Sequence, residues 1–207
     1  MSNNPLRDRF SEIYATDEWG KGSGEGSLPV HTKGYATLIE RFIRQHNVQS
    51  VVDVGCGDWQ FSRFINWNHC RYTGLDIVPG LVETNTSQFA CENIQFATYD
   101  GNFSHLPKAE LLIIKDVLQH LSQQKIIDFL AILDDYPYAL ITNCINPHGI
   151  TENRDIPDGG FRYLDLTLSP FELSATEVYR FSNHRSLMQR LYTKPRWMKK
   201  VLVHYGK

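Results

Sequence analysis

Acidic side chains follow several short apolar runs of the sequence. The segment 53–58 (Asp-Val-Gly-Cys-Gly-Asp) begins at the end of one such run, and Asp76, Asp100 and Asp116 follow three others. Parallel strands end at a common edge of the sheet, and open α/β sheets bind ligands outside that edge. Carboxylates gathered there need partners, because neighbouring like charges disfavour one another. A ligand that carries several hydroxyl and amine donors would supply them.

The two glycines of segment 53–58 predict a tight turn at the binding edge. Gly55 and Gly57 have no side chain, so the turn would leave main-chain atoms open to a ligand. Asp76 follows Gly57 by 19 residues, at the end of the next strand-like run. An acid at that place accepts hydrogen bonds from both hydroxyls of a ribose. The spacing therefore predicts a nucleoside site.

The residues around the turn favour one class of nucleoside over another. A nicotinamide dinucleotide site needs a third glycine at position 60, which admits the pyrophosphate to a helix N-terminus. Here Gln60 and bulky Trp59 stand at that point, and the carboxylate of Asp58 would repel a pyrophosphate. Asp53 suits a cationic amine. S-adenosylmethionine carries an amine and a sulfonium but no phosphate, so it fits better, and a nicotinamide-dependent oxidoreductase is the disfavoured alternative.

The chain alternates between strand-like and helix-like segments, which predicts parallel βαβ units in an α/β fold. We expect five strands, at residues 50–54, 71–77, 93–98, 110–115 and 138–144. We expect helices at residues 32–45, around 61–65 with Asp58 as its cap, from Pro79 and from Ser122. Residues 146–160 are predicted to be a long loop, and two weaker strand-like runs follow at 177–181 and 200–205.

These motifs resemble those of the class I S-adenosylmethionine-dependent methyltransferases over roughly residues 50–145. Asp53-Val-Gly-Cys-Gly is similar to the glycine motif of that family, and Asp76 to its ribose-binding acid. Asp100, in Ala-Thr-Tyr-Asp-Gly, is similar to the acid that contacts the adenine amino group. The segment 115–121 (Lys-Asp-Val-Leu-Gln-His-Leu) resembles the motif at the end of the fourth strand, whereas Trp59 replaces the usual third glycine. The resemblance implies a doubly wound, mostly parallel seven-stranded sheet with an antiparallel C-terminal strand and helices on both faces.

The flanking segments resemble a bacterial subgroup of this family. They are Trp19-Gly-x-Gly-Ser-Gly-x-Gly-Ser, the Cys-Gly-Asp-Trp turn, Asp116-Val-Leu-Gln-His-Leu-Ser, and Phe161-Arg-x-Leu-Asp-Leu followed by Pro170-Phe. Members of the subgroup are often attributed to O-methylation of small molecules or glycans, and the resemblance implies such a reaction here. We expect no metal, because no cluster of His, Asp and Glu has the spacing of metal ligands. The residues expected to bind the cofactor are Trp19, Asp53, Gly55, Cys56, Gly57, Asp58, Asp76, Ile77, Asp100, Gly101 and Lys115.

Methyl transfer needs an aligned nucleophile and, for a hydroxyl or carboxyl acceptor, a group that removes its proton. Asp116 and His120 are the catalytic candidates, because they stand at the end of the fourth predicted strand and just beyond it. The competing interpretation of His120 is packing against the next helix. His148, Arg154 and Arg162 are candidates for contact with the substrate, the arginines with an anionic one. Their alternatives are simple exposure and loop salt bridges.

Residues 1–31 are predicted to form an N-terminal arm, and residues 32–207 a single methyltransferase domain. Glycine at positions 20, 22, 24 and 26 leaves the backbone of the arm nearly unrestrained. A flexible linker is one interpretation. A lid over the bound cofactor, with Trp19 packed near it, is the one we favour.

Composition limits the remaining possibilities. The chain of 207 residues has a formal net charge of −2 and four widely spaced cysteines. It shows no apolar run long enough to cross a membrane and no secretory signal. We therefore expect a cytoplasmic protein with reduced thiols. Residues 175–207 nevertheless hold eight Lys or Arg against one acid. An RNA or protein methyltransferase that uses the basic segment 185–200 is therefore an alternative, although the net charge disfavours nucleic acid. A non-catalytic module that binds the nucleoside is another.

Overall fold

The computed structural model describes residues 4–184 and 186–206, which contain a seven-stranded sheet in the order β3-β2-β1-β4-β5-β7-β6. The strands are β1 (Ser50–Val54), β2 (Arg71–Asp76), β3 (Ile94–Thr98), β4 (Leu111–Lys115), β5 (Tyr138–Ile145), β6 (Thr176–Ser182) and β7 (Met198–Tyr205). Strands β1 to β5 are parallel, and β7 runs antiparallel between β5 and β6. The predicted seven-stranded, mostly parallel sheet with an antiparallel last strand is confirmed.

Five α-helices accompany the sheet in the described part of the chain. They are α1 (Pro5–Ala15), α2 (Pro29–Gln45), α3 (Pro79–Phe89), α4 (Gln123–Leu130) and α5 (Leu187–Tyr192). Helix α2 begins one turn before its predicted start, because Pro29 takes the first helical position, where the missing N–H costs nothing. Residues 146–160 form no helix or strand, as predicted.

Two apolar layers enclose the sheet, one on each face. Strand β4 contributes to both, with Leu112 and Ile114 in one layer and Leu111 and Ile113 in the other. Helix α4 packs into the first layer and helix α2 into the second. A strand buried on both faces reads as a continuous apolar run, which is why β4 is visible in the sequence.

The segment after the glycine turn differs from the prediction. The expected helix at 61–65 is a single 3-10 turn, Ser62–Phe64. The carbonyl of Ser62 accepts a hydrogen bond from Trp67 Nε1 at 2.8 Å. In a longer helix this carbonyl would instead accept a backbone hydrogen bond. The predicted cap by Asp58 is also wrong, because that carboxylate binds residues of the N-terminal arm.

Helix α1 is absent from the prediction, although its signals are present. Leu6, Phe10, Ile13 and Tyr14 recur at helical spacing, and Phe10 and Ile13 are buried against the first apolar layer. Asn4 caps the helix by accepting a hydrogen bond from the backbone N–H of Arg7 at 3.1 Å. Helix α1 therefore brings the arm to the same end of the sheet as the glycine turn.

Candidate functional site

A pocket opens at the carboxyl ends of β1, β2 and β4, where the strand order reverses between β1 and β4. Its empty volume, about 830 Å³, includes space that is open to solvent. The predicted site residues that line it are Trp19, Asp53, Gly55, Cys56, Asp58, Asp76, Ile77, Lys115 and Asp116. Residues far apart in the sequence thus meet in one cavity.

The glycine turn has the tight geometry that its sequence predicts. Gly55 and Gly57 have φ angles of 73° and 57°, in the left-handed region that glycine enters readily. A Cβ on Gly55 would stand 2.3 Å from Val117 Cγ2, and one on Gly57 would stand 2.3 Å from Ser23 Oγ. The turn therefore has no room for side chains at these positions. Gly55 lines the pocket, whereas the predicted site residue Gly57 does not.

Asp76 holds the turn from the end of β2. Its Oδ2 accepts a hydrogen bond from Gly57 N at 2.9 Å, and its Oδ1 accepts one from Val78 N at 3.0 Å. Burial raises the pKa of Asp76 to about 6. Each carboxylate oxygen can accept a second bond, so Asp76 retains acceptor capacity toward the pocket.

Asp53 is buried beside the same turn. Its Oδ2 accepts the hydroxyl of Tyr72 at 2.6 Å, and Trp59 Nε1 donates to that hydroxyl oxygen at 2.9 Å. Burial raises the pKa of Asp53 to about 6, against the lowering effect of the Tyr72 hydrogen bond. Trp59, which replaces the usual third glycine, thus lies in the core and holds the Tyr72 hydroxyl that donates to Asp53.

The N-terminal arm is fastened to the glycine turn. Ser23 N donates to Asp58 Oδ2 at 3.2 Å, and Ser23 Oγ donates to Asp58 Oδ1 at 2.7 Å. Gln60 Nε2 donates to the carbonyl of Lys21 at 2.6 Å, and the hydroxyl of Tyr14 lies 2.9 Å from Ser23 Oγ. Asp58 and Gln60, which depart from the dinucleotide pattern, are therefore two of the side chains that hold the arm.

A buried cluster of Lys115, Asp116 and Lys199 stands at the end of β4. Lys115 Nζ donates to Asp116 Oδ2 at 2.6 Å and to Ser27 Oγ at 3.1 Å, and Lys199 Nζ donates to the same Oδ2. Asp116 has a φ angle of 61°, a left-handed conformation that Asp tolerates better than most residues. The bend after β4 turns this carboxylate onto the two lysines and toward the pocket.

The charges of this cluster depend on one another. Burial disfavours ionisation of Asp116, but the two ammonium groups outweigh it and hold its pKa at about 2. Burial lowers the pKa of Lys115 to about 8 against the attraction of Asp116, whereas that attraction outweighs burial at Lys199 and raises its pKa. Within the described residues, Asp116 Oδ1 is buried and has no hydrogen-bond partner.

Lys199 was not predicted from the sequence. It belongs to β7 and shares its face with Val201 and Val203, which lie in the second apolar layer. Their period-two pattern was the available signal, because it places the lysine on the inward face.

His120 lies behind the pocket wall. Its ring centroid is 4.8 Å from that of Trp19 and 5.7 Å from that of Phe161. His120 Nδ1 lies 2.7 Å from the carbonyl of Gly160, so Nδ1 carries a proton, and burial lowers the pKa of the ring. His120 Nε2 faces the side-chain nitrogen of Gln119 at 3.3 Å. The imidazole is thus covered by Trp19 of the arm and held by its neighbours.

The remaining predicted residues do not join the pocket. Asp100 and Gly101 lie outside its lining, and the carboxylate of Asp100 is half exposed, 2.7 Å from His105 Nδ1. Tyr99 lines the pocket in their place. Gly101 instead packs against α1, where Leu6 approaches it.

The three candidates for substrate contact differ in exposure and in their partners. His148 is exposed, and Arg154 is 80% exposed and paired with Glu152. Arg162 is buried; its Nη2 approaches the carbonyl of Leu118 at 3.5 Å, while its Nε and Nη1 have no partner within the described residues. None of the three lines the pocket.

Residues 4–184 and 186–206 contain no group of three or more His, Cys, Asp or Glu side chains arranged to hold a metal ion. None of their helices is both long enough and apolar enough to traverse a lipid bilayer.

The sequence matches no protein-family model. Over 68 residues it is 31% identical to the malonyl-(acyl-carrier protein) O-methyltransferase of Acetivibrio thermocellus, which covers 32% of this chain and 24% of that protein. The chain thus matches about a quarter of the length of this curated relative.

Solved structures resemble the fold over almost its whole length. Magnesium protoporphyrin IX methyltransferase (ChlM) from Synechocystis PCC 6803 with bound SAM aligns with a TM-score of 0.63 and 15% identity over 98% of this chain and 97% of that one. The N-methyltransferase NodS from Bradyrhizobium japonicum WM9 in complex with S-adenosyl-L-homocysteine aligns with a TM-score of 0.61 and 15% identity over 99% of both chains. The chain therefore has the Rossmann-like fold of the class I methyltransferases.

Proposed function

We propose that the protein transfers the methyl group of S-adenosylmethionine to an oxygen atom of a small molecule or glycan. The observation that carries the proposal is the pocket at the glycine turn, where two buried carboxylates, Asp53 and Asp76, stand on neighbouring strands. Both have a raised pKa, so a cationic ligand with hydroxyl donors would relieve the cost of their burial.

The donor and acceptor groups of the pocket fit this cofactor. Asp76 has acceptor capacity left for ribose hydroxyls, and Asp53 offers a carboxylate to the amine of the methionine part. The wall near Ile77 and Tyr99 is apolar and aromatic, which suits an adenine ring. Gly55 lines the pocket without a side chain, so a ligand can approach the main chain there.

A dinucleotide fits the same residues poorly. The carboxylate of Asp58 faces the arm at the point where a pyrophosphate would need positive dipoles, and Gln60 is bonded to the arm as well. The bound S-adenosylmethionine would supply an electrophilic methyl group on a sulfonium, and the protein would supply alignment and proton removal.

Asp116 is the residue of this chain best placed to align an acceptor. Its Oδ1 is a buried acceptor with no partner among residues 4–184 and 186–206, and a hydroxyl of the substrate that donates to it would satisfy it. The ammonium groups of Lys115 and Lys199 keep Asp116 ionised. Asp116 therefore accepts a hydrogen bond and orients an oxygen, but its low pKa makes it a weak base.

The choice of an oxygen acceptor rests on two supports. The flanking segments resemble a subgroup to which O-methylation is often attributed, and the curated relative is named an O-methyltransferase. The arm covers the pocket beside Asp116, which favours a small acceptor over a folded macromolecule. A steep loss of activity with rising salt would instead support an RNA acceptor.

The proposal is tested first by calorimetric titration with S-adenosylhomocysteine and with NAD. Binding of the homocysteine nucleoside and not of NAD is the expected result, and the reverse would overturn the proposal. Labelled S-adenosylmethionine is then supplied with fractionated metabolites and glycans, and the fraction that gains the label contains the acceptor. Binding without transfer to any fraction, protein and RNA included, would favour a module that holds the nucleoside as a regulatory ligand.

A further inference from the structure

The cluster of Lys115, Asp116 and Lys199 places two cations against one carboxylate oxygen. Both ammonium groups bind Asp116 Oδ2, and its Oδ1 has no partner within the described residues. All three side chains are at least 86% buried, so water screens their charges poorly. One carboxylate cannot neutralise both lysines.

The other groups that face Lys115 do not supply a second ion pair. Asp53 of β1 acts on it through space, but its carboxylate binds the hydroxyl of Tyr72. Cys144 of β5 is a neutral thiol at physiological pH, because burial raises its pKa to about 11. The arm contributes the Ser27 hydroxyl, and the ring of Phe61 lies 5.1 Å from Lys115 Nζ.

The pKa values of the two lysines shift in opposite directions. Lys199 is the better paired, and attraction to Asp116 raises its pKa, whereas Lys115 bears the larger effect of burial and its pKa falls to about 8. Lys115 also lines the pocket, and Lys199 does not. An amine that loses its proton near neutral pH therefore stands at the pocket wall, next to the free oxygen of Asp116.

The imidazole of His120 is a poorer candidate for the same task. Trp19 and Phe161 cover its ring, and His120 is absent from the lining of the pocket. Removal of a proton from a pocket substrate by His120 would require the arm to leave the pocket at the moment of reaction. Lys115 needs no such movement.

We infer that Lys115 is the base that takes the proton of the reacting hydroxyl, with Asp116 Oδ1 orienting the acceptor through a second hydroxyl and Lys199 acting as a positioning residue. The inference rests on the proposed function and assigns Lys115 to the acceptor rather than to the cofactor. As the acceptor oxygen bonds to the methyl carbon, the carbon–sulfur bond breaks and its electron pair stays on sulfur. The hydroxyl proton passes to the neutral amine of Lys115, which becomes an ammonium and later releases the proton to water.

The protonation of Lys115 can be measured without an acceptor. Lysine labelled with ¹³C at the ε carbon is incorporated, the protein is saturated with S-adenosylhomocysteine, and the Lys115 signal is identified by its loss in Lys115→Arg. We expect it to titrate near pH 8, well below the ordinary pKa of a lysine side chain. Lys199→Met removes the competing cation, so the Lys115 midpoint should rise; Lys199→Arg should leave it low. A Lys115 signal that stays protonated above pH 10 in the wild-type complex would overturn the inference.

Kinetics separates the inference from the function on which it rests. Lys115→Arg keeps a cation beside Asp116 but cannot act as a base near neutral pH, so methyl transfer should fall at least about 100-fold. Its affinity for S-adenosylhomocysteine should stay within about tenfold of wild type, and Lys108→Arg is the matched surface control. Lys199→Met should move the pH–rate midpoint upward, with activity partly recovered at high pH.

The outcomes have distinct meanings. Full transfer by Lys115→Arg, or loss of its affinity for the homocysteine nucleoside while it stays folded by circular dichroism, would refute the role of Lys115 as a base. Failure of the wild-type protein to bind that nucleoside would instead refute the proposed function. Unchanged pH–rate midpoints in folded Lys199→Met would refute the positioning role of Lys199.

Discussion

The contact between the arm and the glycine turn leads to a sharp prediction for Ser23→Ala. Its hydroxyl donates to Asp58 Oδ1 at 2.7 Å, accepts from Asp58 N at 3.2 Å and lies 2.9 Å from the hydroxyl of Tyr14. The substitution removes all three contacts, while the backbone bond from Ser23 N to Asp58 remains. A hydrogen bond to a charged group contributes about 1.5–3 kcal/mol. We therefore expect the equilibrium between docked and open arm to shift roughly 10- to 100-fold toward the open form.

Hydrogen exchange followed by mass spectrometry measures this shift. Peptides that cover residues 19–27 should exchange faster in Ser23→Ala by about the same factor, because exchange from a transiently open segment follows its opening equilibrium. Peptides of β4 and β5 should be unaffected. Ser87→Ala is the control, since that hydroxyl donates only to the carbonyl of Thr84 within α3.

The same variant tests the role of the arm as a lid. We expect S-adenosylhomocysteine to associate and dissociate faster in Ser23→Ala, measured by stopped-flow fluorescence of Trp19, which lies at the pocket wall. Exchange in residues 19–27 equal to that of wild type would refute the energetic reasoning. Faster exchange with unaltered nucleoside kinetics would refute the lid.

Two further predictions concern the carboxylate of Asp76. Asp76→Ala should weaken binding of S-adenosylhomocysteine by about 1–3 kcal/mol in calorimetry, because ribose hydroxyls would lose a buried partner, and equal affinity would mean that Asp76 does not contact the nucleoside. Asp76 also has a folded-state pKa of about 6, above its value in the unfolded chain, so the native state holds the extra proton between about pH 4 and 6. The free energy of unfolding of wild type relative to Asp76→Asn should therefore fall by up to about 3 kcal/mol as pH rises through this window. Chemical denaturation at several pH values measures this difference, and a relative stability that rises with pH would contradict the raised pKa of Asp76.

The sheet was readable from the sequence because each central strand is a short apolar run with a polar residue at its end. Strand β1 has the predicted bounds, and β4 differs by one residue. Asp53 and Asp76 line one pocket as the spacing predicted, since parallel neighbours bring their carboxyl ends together.

Features that depend on contacts between distant segments escaped prediction. Lys199 meets Asp116 only because β7 pairs with β5 and the chain bends after β4, and no local pattern records either event. The role of Asp58 was obscured in the same way, because its partner Ser23 lies 35 residues earlier. Helix α1 was missed for another reason: its four apolar residues are separated by charged ones, and its amphipathic pattern is weak without the sheet that it covers.

The contacts of Ser23, Asp58 and Gln60 have a consequence for the evolution of this fold. A lineage that restored a glycine at position 60 would remove the side chain that binds the carbonyl of Lys21, and loss of Asp58 would release Ser23. The arm and the turn thus depend on one another's side chains, although more than thirty positions separate them. Substitutions at positions 23, 58 and 60 should covary among descendants, and chains that lost the glycine-rich arm should be those in which positions 58 and 60 drift freely.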